Sequence, residues 1–177
     1  SLGFASAGFN VIGHVEIDES ACQIYHHNFP HSTLLAHDIC SITDKDLFSW
    51  QQQYGPIDLI IGGPPCQGFS LAGKRDPEDV RNQLYKYYVH IVSVLRPKKY
   101  FVMENVPNLL TAENGYFQKE IIDLFLRFPR IPFWKKIHFL EKPFFTLTNL
   151  FSNFVNTFNF CRFSHPLTSN GDMDFFG

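Results

Sequence analysis

The chain reads as an α/β domain, a parallel sheet with helices on both faces, on three observations. Short apolar runs alternate with longer stretches of helical periodicity through most of the sequence. Gly, Pro and Asn clusters punctuate the junctions, most sharply at Gly62-Gly63-Pro64-Pro65. Four successive strands end in a chemically capable side chain, Glu16, Asp38, Cys66 and Glu104. Open α/β sheets bind ligands beyond the carboxyl ends of their strands, so four such ends on one edge would make a single pocket.

Taken in order, Leu2 to Phe9 reads as the last turns of a helix with Gly8 as its stop. Asn10 to Ile17 follows as a strand, then Ser20 to Asn28 as a helix capped by Asp18 or Ser20 and ended before Pro30. Thr33 to Ala36 is a short strand leading to Asp38, and Asp44 to Tyr54 a helix. Ile57 to Ile61 is a buried strand cut off by the glycine pair. Leu71 to Val80 is polar and suits an exposed segment. Arg81 to Leu95 is helical, with Leu84, Tyr88, Ile91, Val92 and Leu95 on one face, and Pro97 ends it. Tyr100 to Met103 is another buried strand, and Phe117 to Leu126 a helix.

At 177 residues and 45% hydrophobic, the chain holds one domain with a real core. A net charge of −2 does not advertise a nucleic-acid binder, but the charge is uneven. Through Ile60 a lone basic residue, Lys45, faces seven acidic ones, and thereafter fourteen basic residues outnumber ten acidic. A polyanion should therefore approach the later part. The four cysteines form no CxxC pair and no close Cys/His group, which argues against zinc and against a disulfide framework. No signal peptide and no membrane-length apolar run is present, and a reduced cytoplasmic setting fits a catalytic thiol. The chain opens on Ser1 in mid-pattern and is taken for a fragment.

Cys66 stands in a loop stiffened by two prolines rather than inside a strand or on a helix face, which favours a nucleophile over a small buried hydrophobe. Glu104 could act beside it as a general acid with raised pKa. Glu16, ending an early strand, suits a ribose diol, and a helix cap is its bland alternative. Asp38 could accept from an exocyclic amine with Ile39 packed on a flat ring, or serve as a cap. Asn105 can orient the loops or simply turn the chain. Arg81 and the pair Lys74-Arg75 could hold phosphates or be solvated surface.

The stretches GGPPCQGFS (62–70) and ENVPNLL (104–110) resemble the two most diagnostic motifs of the DNA (cytosine-5) methyltransferases. Glu16 within EIDESAC, Asp38-Ile39 within HDIC, and DVRNQLY (79–85) follow in that family's order and spacing. The resemblance covers residues 1 to about 123 and implies a Rossmann-like methyltransferase sheet. It further implies that Cys66 adds to carbon 6 of a flipped cytosine in double-stranded DNA while Glu104 engages ring nitrogen 3. S-adenosyl-methionine would be the cofactor, its ribose on Glu16 beside Ile17, its adenine on Asp38 and Ile39, with Pro65 and Leu84 lining the pocket. Gln67 and Ser70 would lie on the loop that closes over DNA, with Arg81 and Asn105 also on the DNA side.

Two departures accompany the likeness. The family's Gly-rich first motif and its strand would precede Ser1. In a doubly wound sheet that strand is central, so its loss is expected to leave the strands ending at Glu16 and Cys66 with unpaired edges. From Phe125 on, the chain holds thirteen of its twenty phenylalanines and no alanine, with neither the later arginines nor a recognition region of the family. Residues 124–177 are either a divergent subdomain, with Phe151, Phe154, Val155 and Phe158 at helical spacing, or, in the preferred reading, the product of a shifted frame or decayed gene. The expectation is a truncated methyltransferase of restriction–modification type, monomeric, metal-free and of little activity, cytoplasmic in a bacterium or nuclear in a eukaryote. The rivals are a non-catalytic remnant and a tRNA cytosine-5 methyltransferase.

Overall fold

A five-stranded mixed sheet organises the molecule in a computed structural model that describes residues 1–64, 83–105, 115–127 and 158–163. Helix α1 (Leu2–Ser6) leads into strand β1 (Phe9–Val15) through Gly8, whose φ of 87° only glycine adopts freely. Helix α2 (Glu19–Asn28) begins at Asp18, whose carboxylate accepts the Ala21 N–H at 2.7 Å. Strand β2 (Thr33–Ala36), a 3-10 turn (Ile39–Ser41) and helix α3 (Asp44–Tyr54) follow, α3 closed at its start by a reciprocal Thr43/Asp46 capping box. Strand β3 (Leu59–Gly62), helix α4 (Leu84–Leu95), strand β4 (Tyr100–Met103), helix α5 (Tyr116–Leu126) and strand β5 (Phe158–Phe163) complete it.

The spatial order is β2-β1-β5-β3-β4. β1 pairs in parallel with β2, and β3 with β4, while β5 runs antiparallel to both β1 and β3. The four parallel strands therefore point the same way, and their carboxyl ends share one edge of the sheet. Two sequence expectations change here. The sheet is mixed rather than wholly parallel, and the slot beside β1 and β3 is filled, so neither strand is left with the unpaired edge foreseen. The strand that fills it comes from the Phe-rich end, and Phe158, foreseen as part of a helical pattern, begins a strand.

Both faces of the sheet are covered. Val15, Ile60, Phe158 and Phe160 meet Leu47 of α3, Tyr85, Tyr88, Val89 and Val92 of α4, and Ile121 and Phe125 of α5 in the larger core. Phe9, Val11, Leu59 and Cys161 meet Tyr25 of α2 and Phe4 of α1 on the other face. Each large side chain buried in this way stabilises the fold by roughly 1.5–3 kcal/mol. Tyr88 is completely buried, and its hydroxyl donates to Val102 O at 2.9 Å, which fixes α4 over β4. Tyr85 OH donates to Glu120, and Lys86 pairs with the same carboxylate at 3.1 Å, so α4 and α5 are joined at their exposed flank.

Candidate active site at the carboxyl edge

β4 lies in register with β3, Gly62 opposite Met103. That register carries Glu104 one step past the end of its neighbour, where its N–H donates to Gly62 O at 2.9 Å. The Asn105 side chain continues the stitching, its Nδ2 donating to Pro64 O at 2.8 Å. The Glu-Asn end of one strand thus holds the Gly-Gly-Pro end of the other. Glu104 is exposed as a residue, yet burial around its carboxyl group raises its pKa. Removing part of a carboxylate's hydration penalises the charged form, so the group keeps its proton to higher pH. Gly62 is glycine for a packing reason: a Cβ there would stand 2.5 Å from the Phe158 ring and 2.8 Å from that of Tyr88. Pro65, Cys66, Gln67, Ser70 and Arg81 lie outside the described residues.

The β1–β2 side of the same edge presents Glu16 and Asp38. Glu16 is buried at 2% exposure, and its N–H reaches Ala36 O at 3.3 Å, prolonging the pairing with β2. One carboxylate oxygen accepts the Asp18 N–H at 2.9 Å, and the Glu16 carbonyl accepts the Cys22 thiol at 3.3 Å. Asp38 is exposed and caps the 3-10 turn, accepting Cys40 N–H at 2.9 Å. Ile17 is 64% exposed, whereas Ile39, expected against a flat ring, is 5% exposed and belongs to the larger core. Leu84 opens α4 and is half-buried against that core. The strand directions therefore bring Glu16, Asp38, Glu104 and Asn105 to one edge, with Glu16 and Asp38 separated from Glu104 and Asn105 by β5.

A model of the C-5 cytosine-specific DNA methylase family matches residues 1–128 of the 177. The chain belongs to that family. It is 42% identical over 130 residues to the Type II methyltransferase M1.HphI of Haemophilus parahaemolyticus, covering 72% of this chain and 34% of that protein. It is 43% identical over 129 residues to the Type II methyltransferase M.XorII of Xanthomonas oryzae pv. oryzae, covering 71% and 30%. Against the Type II methyltransferase M.DdeI of Desulfomicrobium norvegicum it is 42% identical over 124 residues, covering 69% and 29%. The chain spans about a third of the length of these relatives.

The segment matched to the methylase family contains every candidate site residue from Glu16 to Asn105 and stops before β5. Phe158 and Asn159, which enter the sheet at the same edge, had no part in the sequence reading of the site. Their signal was the alternation Phe158-Asn159-Phe160-Cys161, which fits a half-polar strand as well as the foreseen helix. Among the described residues no group of three or more His, Cys, Asp or Glu side chains is placed to hold a metal ion. A shallow groove lined by Phe48, Gln51, Gln52 and Pro56 belongs to the opposite edge, where β3 begins.

Proposed function

We propose that this chain carries the base-activating part of a DNA cytosine-5 methyltransferase, acting through a covalent Cys66 adduct on a flipped cytosine. The single observation that supports it most is the pair of contacts from Glu104 and Asn105 to Gly62 and Pro64. Cys66 follows Pro64 by two residues, a reach of at most about 7.6 Å between their Cα atoms. A general acid and the approach to a nucleophile are therefore built on paired strand ends.

Cys66, as thiolate, adds to carbon 6 of the base and pushes electron density into the ring. Glu104, whose partly buried carboxyl group is shifted towards its protonated form, delivers a proton to ring nitrogen 3 and neutralises that charge. Asn105 holds the Pro64 carbonyl and so aims the residues that follow it. Once carbon 5 is substituted, its proton passes to solvent water, the carbon 6–sulfur bond breaks to return Cys66 to the thiolate, and the proton on ring nitrogen 3 goes back to the Glu104 carboxylate. Gln67, Ser70 and Arg81 belong, in this reading, to the DNA-facing surface, with double-stranded DNA as partner and bacterial cytoplasm as setting.

The residues present fit the nucleoside end of S-adenosyl-methionine. Buried Glu16 is an acceptor for hydroxyls, exposed Asp38 is an acceptor for an exocyclic amine, and Ile17 and Leu84 offer apolar walls. When bound, that cofactor supplies an electrophilic methyl group. The amino-acid end fits less well. A helix that starts after a central parallel strand offers N–H donors to an anionic group. β5 instead enters the sheet at this edge and leaves at the other, so among the described residues the central strand does not lead into a helix start here. The chain is accordingly expected to activate the base far better than it transfers a methyl group.

The test uses the full chain with duplex DNA carrying 5-azacytosine, whose ring traps an attacking thiolate. A species surviving denaturation, lost in Cys66→Ala, is expected, with methyl transfer from labelled cofactor no higher than in that variant. Absence of the adduct, or an equal adduct in Cys66→Ala, contradicts the reading. Preference for an RNA of the same sequence would move the substrate to RNA.

A further inference from the structure

Among the described residues, β2 and β1 pair with each other, β3 and β4 pair with each other, and the two pairs meet through β5. A two-stranded unit is marginal by itself in water. β5 is unlike an added edge strand. It pairs with β1 from Phe9 opposite Phe163 to Val15 opposite Phe158, and with β3 from Leu59 opposite Cys161 to Ile61 opposite Asn159. Phe158, Asn159, Phe160 and Cys161 are all buried, at 5% exposure or less.

The side chains of β5 also specify one register. Phe158 and Phe160 enter the larger core, and Cys161 the smaller one on the opposite face. Asn159 shares the face of Cys161, and its side-chain oxygen accepts the hydroxyl of buried Tyr25 from α2. A slip by one residue would turn Asn159 towards the aromatic side of the larger core, where Phe158 and Phe160 meet Tyr88 and Trp50, and would strand its amide. At the other end of the strand Cys161 O accepts the Asp58 N–H at 3.1 Å, and Arg162 Nη1 donates to Tyr54 O at 3.1 Å.

We propose that β5 is a closing strap: a strand from beyond the family-matched segment that joins two half-sheets into one cooperative unit, with Asn159 and Tyr25 as its register pin. It thereby sets the separation between the Glu16–Asp38 half of the edge and the Gly62–Glu104 half. That last consequence rests on the functional reading above, whereas the strap itself does not. This assignment opposes the view that residues 124–177 were never selected to fold.

Hydrogen exchange of the full 177-residue chain, followed by mass spectrometry, tests it without reference to methyl transfer. Segments 9–15, 59–62 and 158–163 are expected to exchange slowly and within about threefold of one another, as parts of one opening unit. Tyr25→Phe, which keeps the ring but removes the donor to Asn159, should accelerate all three together by about tenfold. Iodoacetamide labelling of Cys161, fully buried and with its thiol pushed up to about 12 by burial, should follow the same slow opening. Exchange of 158–163 at least about tenfold faster than of 9–15 and 59–62 would overturn the proposal, because β5 would then detach from an intact sheet. So would acceleration of β5 alone in Tyr25→Phe, or immediate labelling of Cys161.

Discussion

In the β3–β4 half of the sheet, the Glu104 backbone N–H and the Asn105 side-chain amide donate to the neighbouring strand, at Gly62 O and Pro64 O. In the β1–β2 half, the carboxylates of Glu16 and Asp38 bind backbone two residues further along their own chain, at Asp18 and Cys40. The first arrangement depends on parallel pairing between strands some forty residues apart and exists only in the folded sheet. The second is local capping, which a short segment can form without the rest of the molecule. Both halves prolong their ladders through the backbone, Glu104 N–H to Gly62 O and Glu16 N–H to Ala36 O, and the side chains make the difference: Asn105 reaches across to Pro64 O, whereas Glu16 and Asp38 turn back on their own segments. By that measure the β3–β4 half has a side chain that ties one strand end to the other, which is where the proposed chemistry is put.

Substitutions can break this contrast, and Cys66→Ala should do so most completely by abolishing the covalent adduct with 5-azacytosine DNA. An adduct of undiminished yield would remove the nucleophile from the β3 side. Glu104→Gln keeps the backbone contact to Gly62 but cannot deliver a proton, and the rate of adduct formation should fall by about 10²–10⁴-fold. In the wild type that rate should decline as pH rises through the elevated pKa of Glu104, and the decline should vanish in Glu104→Gln. A rate insensitive to the substitution would assign the proton to another group.

The β1 half should answer to pH through stability instead. His14 is buried at 2% exposure, stacked on Tyr25 at 4.0 Å and hydrogen-bonded to Ser32 at 2.9 Å. Burial, and secondarily His26, lowers its pKa from 6.5 to about 4. Between those values the unfolded chain binds the proton and the folded chain does not. Stability is therefore complete above the unfolded pKa and falls as pH drops towards 4, by roughly 3 kcal/mol in all. Denaturant melts from pH 7 to 4 should show this loss, and His14→Phe, which removes the titration, should flatten it. An equal slope in the variant would place the acid sensitivity elsewhere.

The smallest effect is expected of Asn105→Ala, which removes one donor from Pro64 O and should cost about 1 kcal/mol of stability. Its adduct rate should fall more than its stability suggests, because the contact aims the cysteine loop. A variant equally stable and equally fast would reduce Asn105 to a turn residue.

Much of this was legible from the residues in order. The bounds of β2, α3 and β4 coincide with the stretches Thr33–Ala36, Asp44–Tyr54 and Tyr100–Met103, each set by local signals such as the Thr43 cap. β3 begins at Leu59 rather than Ile57 because the carbonyls of Ile57 and Asp58 accept from Lys98, Lys99 and Tyr100 in the approach to β4. α4 runs from Leu84 to Leu95 in the described residues, and the foreseen start at Arg81 lies outside them. The central strand was not legible. Its partners, Phe9–Val15 and Leu59–Ile61, lie 98 or more residues away, and pairing at that separation leaves no mark in a local pattern. Ile39 shows the same limit from the other side. Its place after Asp38 suggested a ring contact, and only the packed core reveals its neighbours.

The most direct measurement is the site of the adduct: digestion of the full chain after reaction with 5-azacytosine duplex DNA, and mass spectrometry of the cross-linked peptide. The cross-link is expected on Cys66, formed at least about a hundredfold more slowly in Glu104→Gln. A cross-link on Cys40, the exposed thiol of the β2 side, or formation at the same rate without the Glu104 carboxyl group, would contradict it.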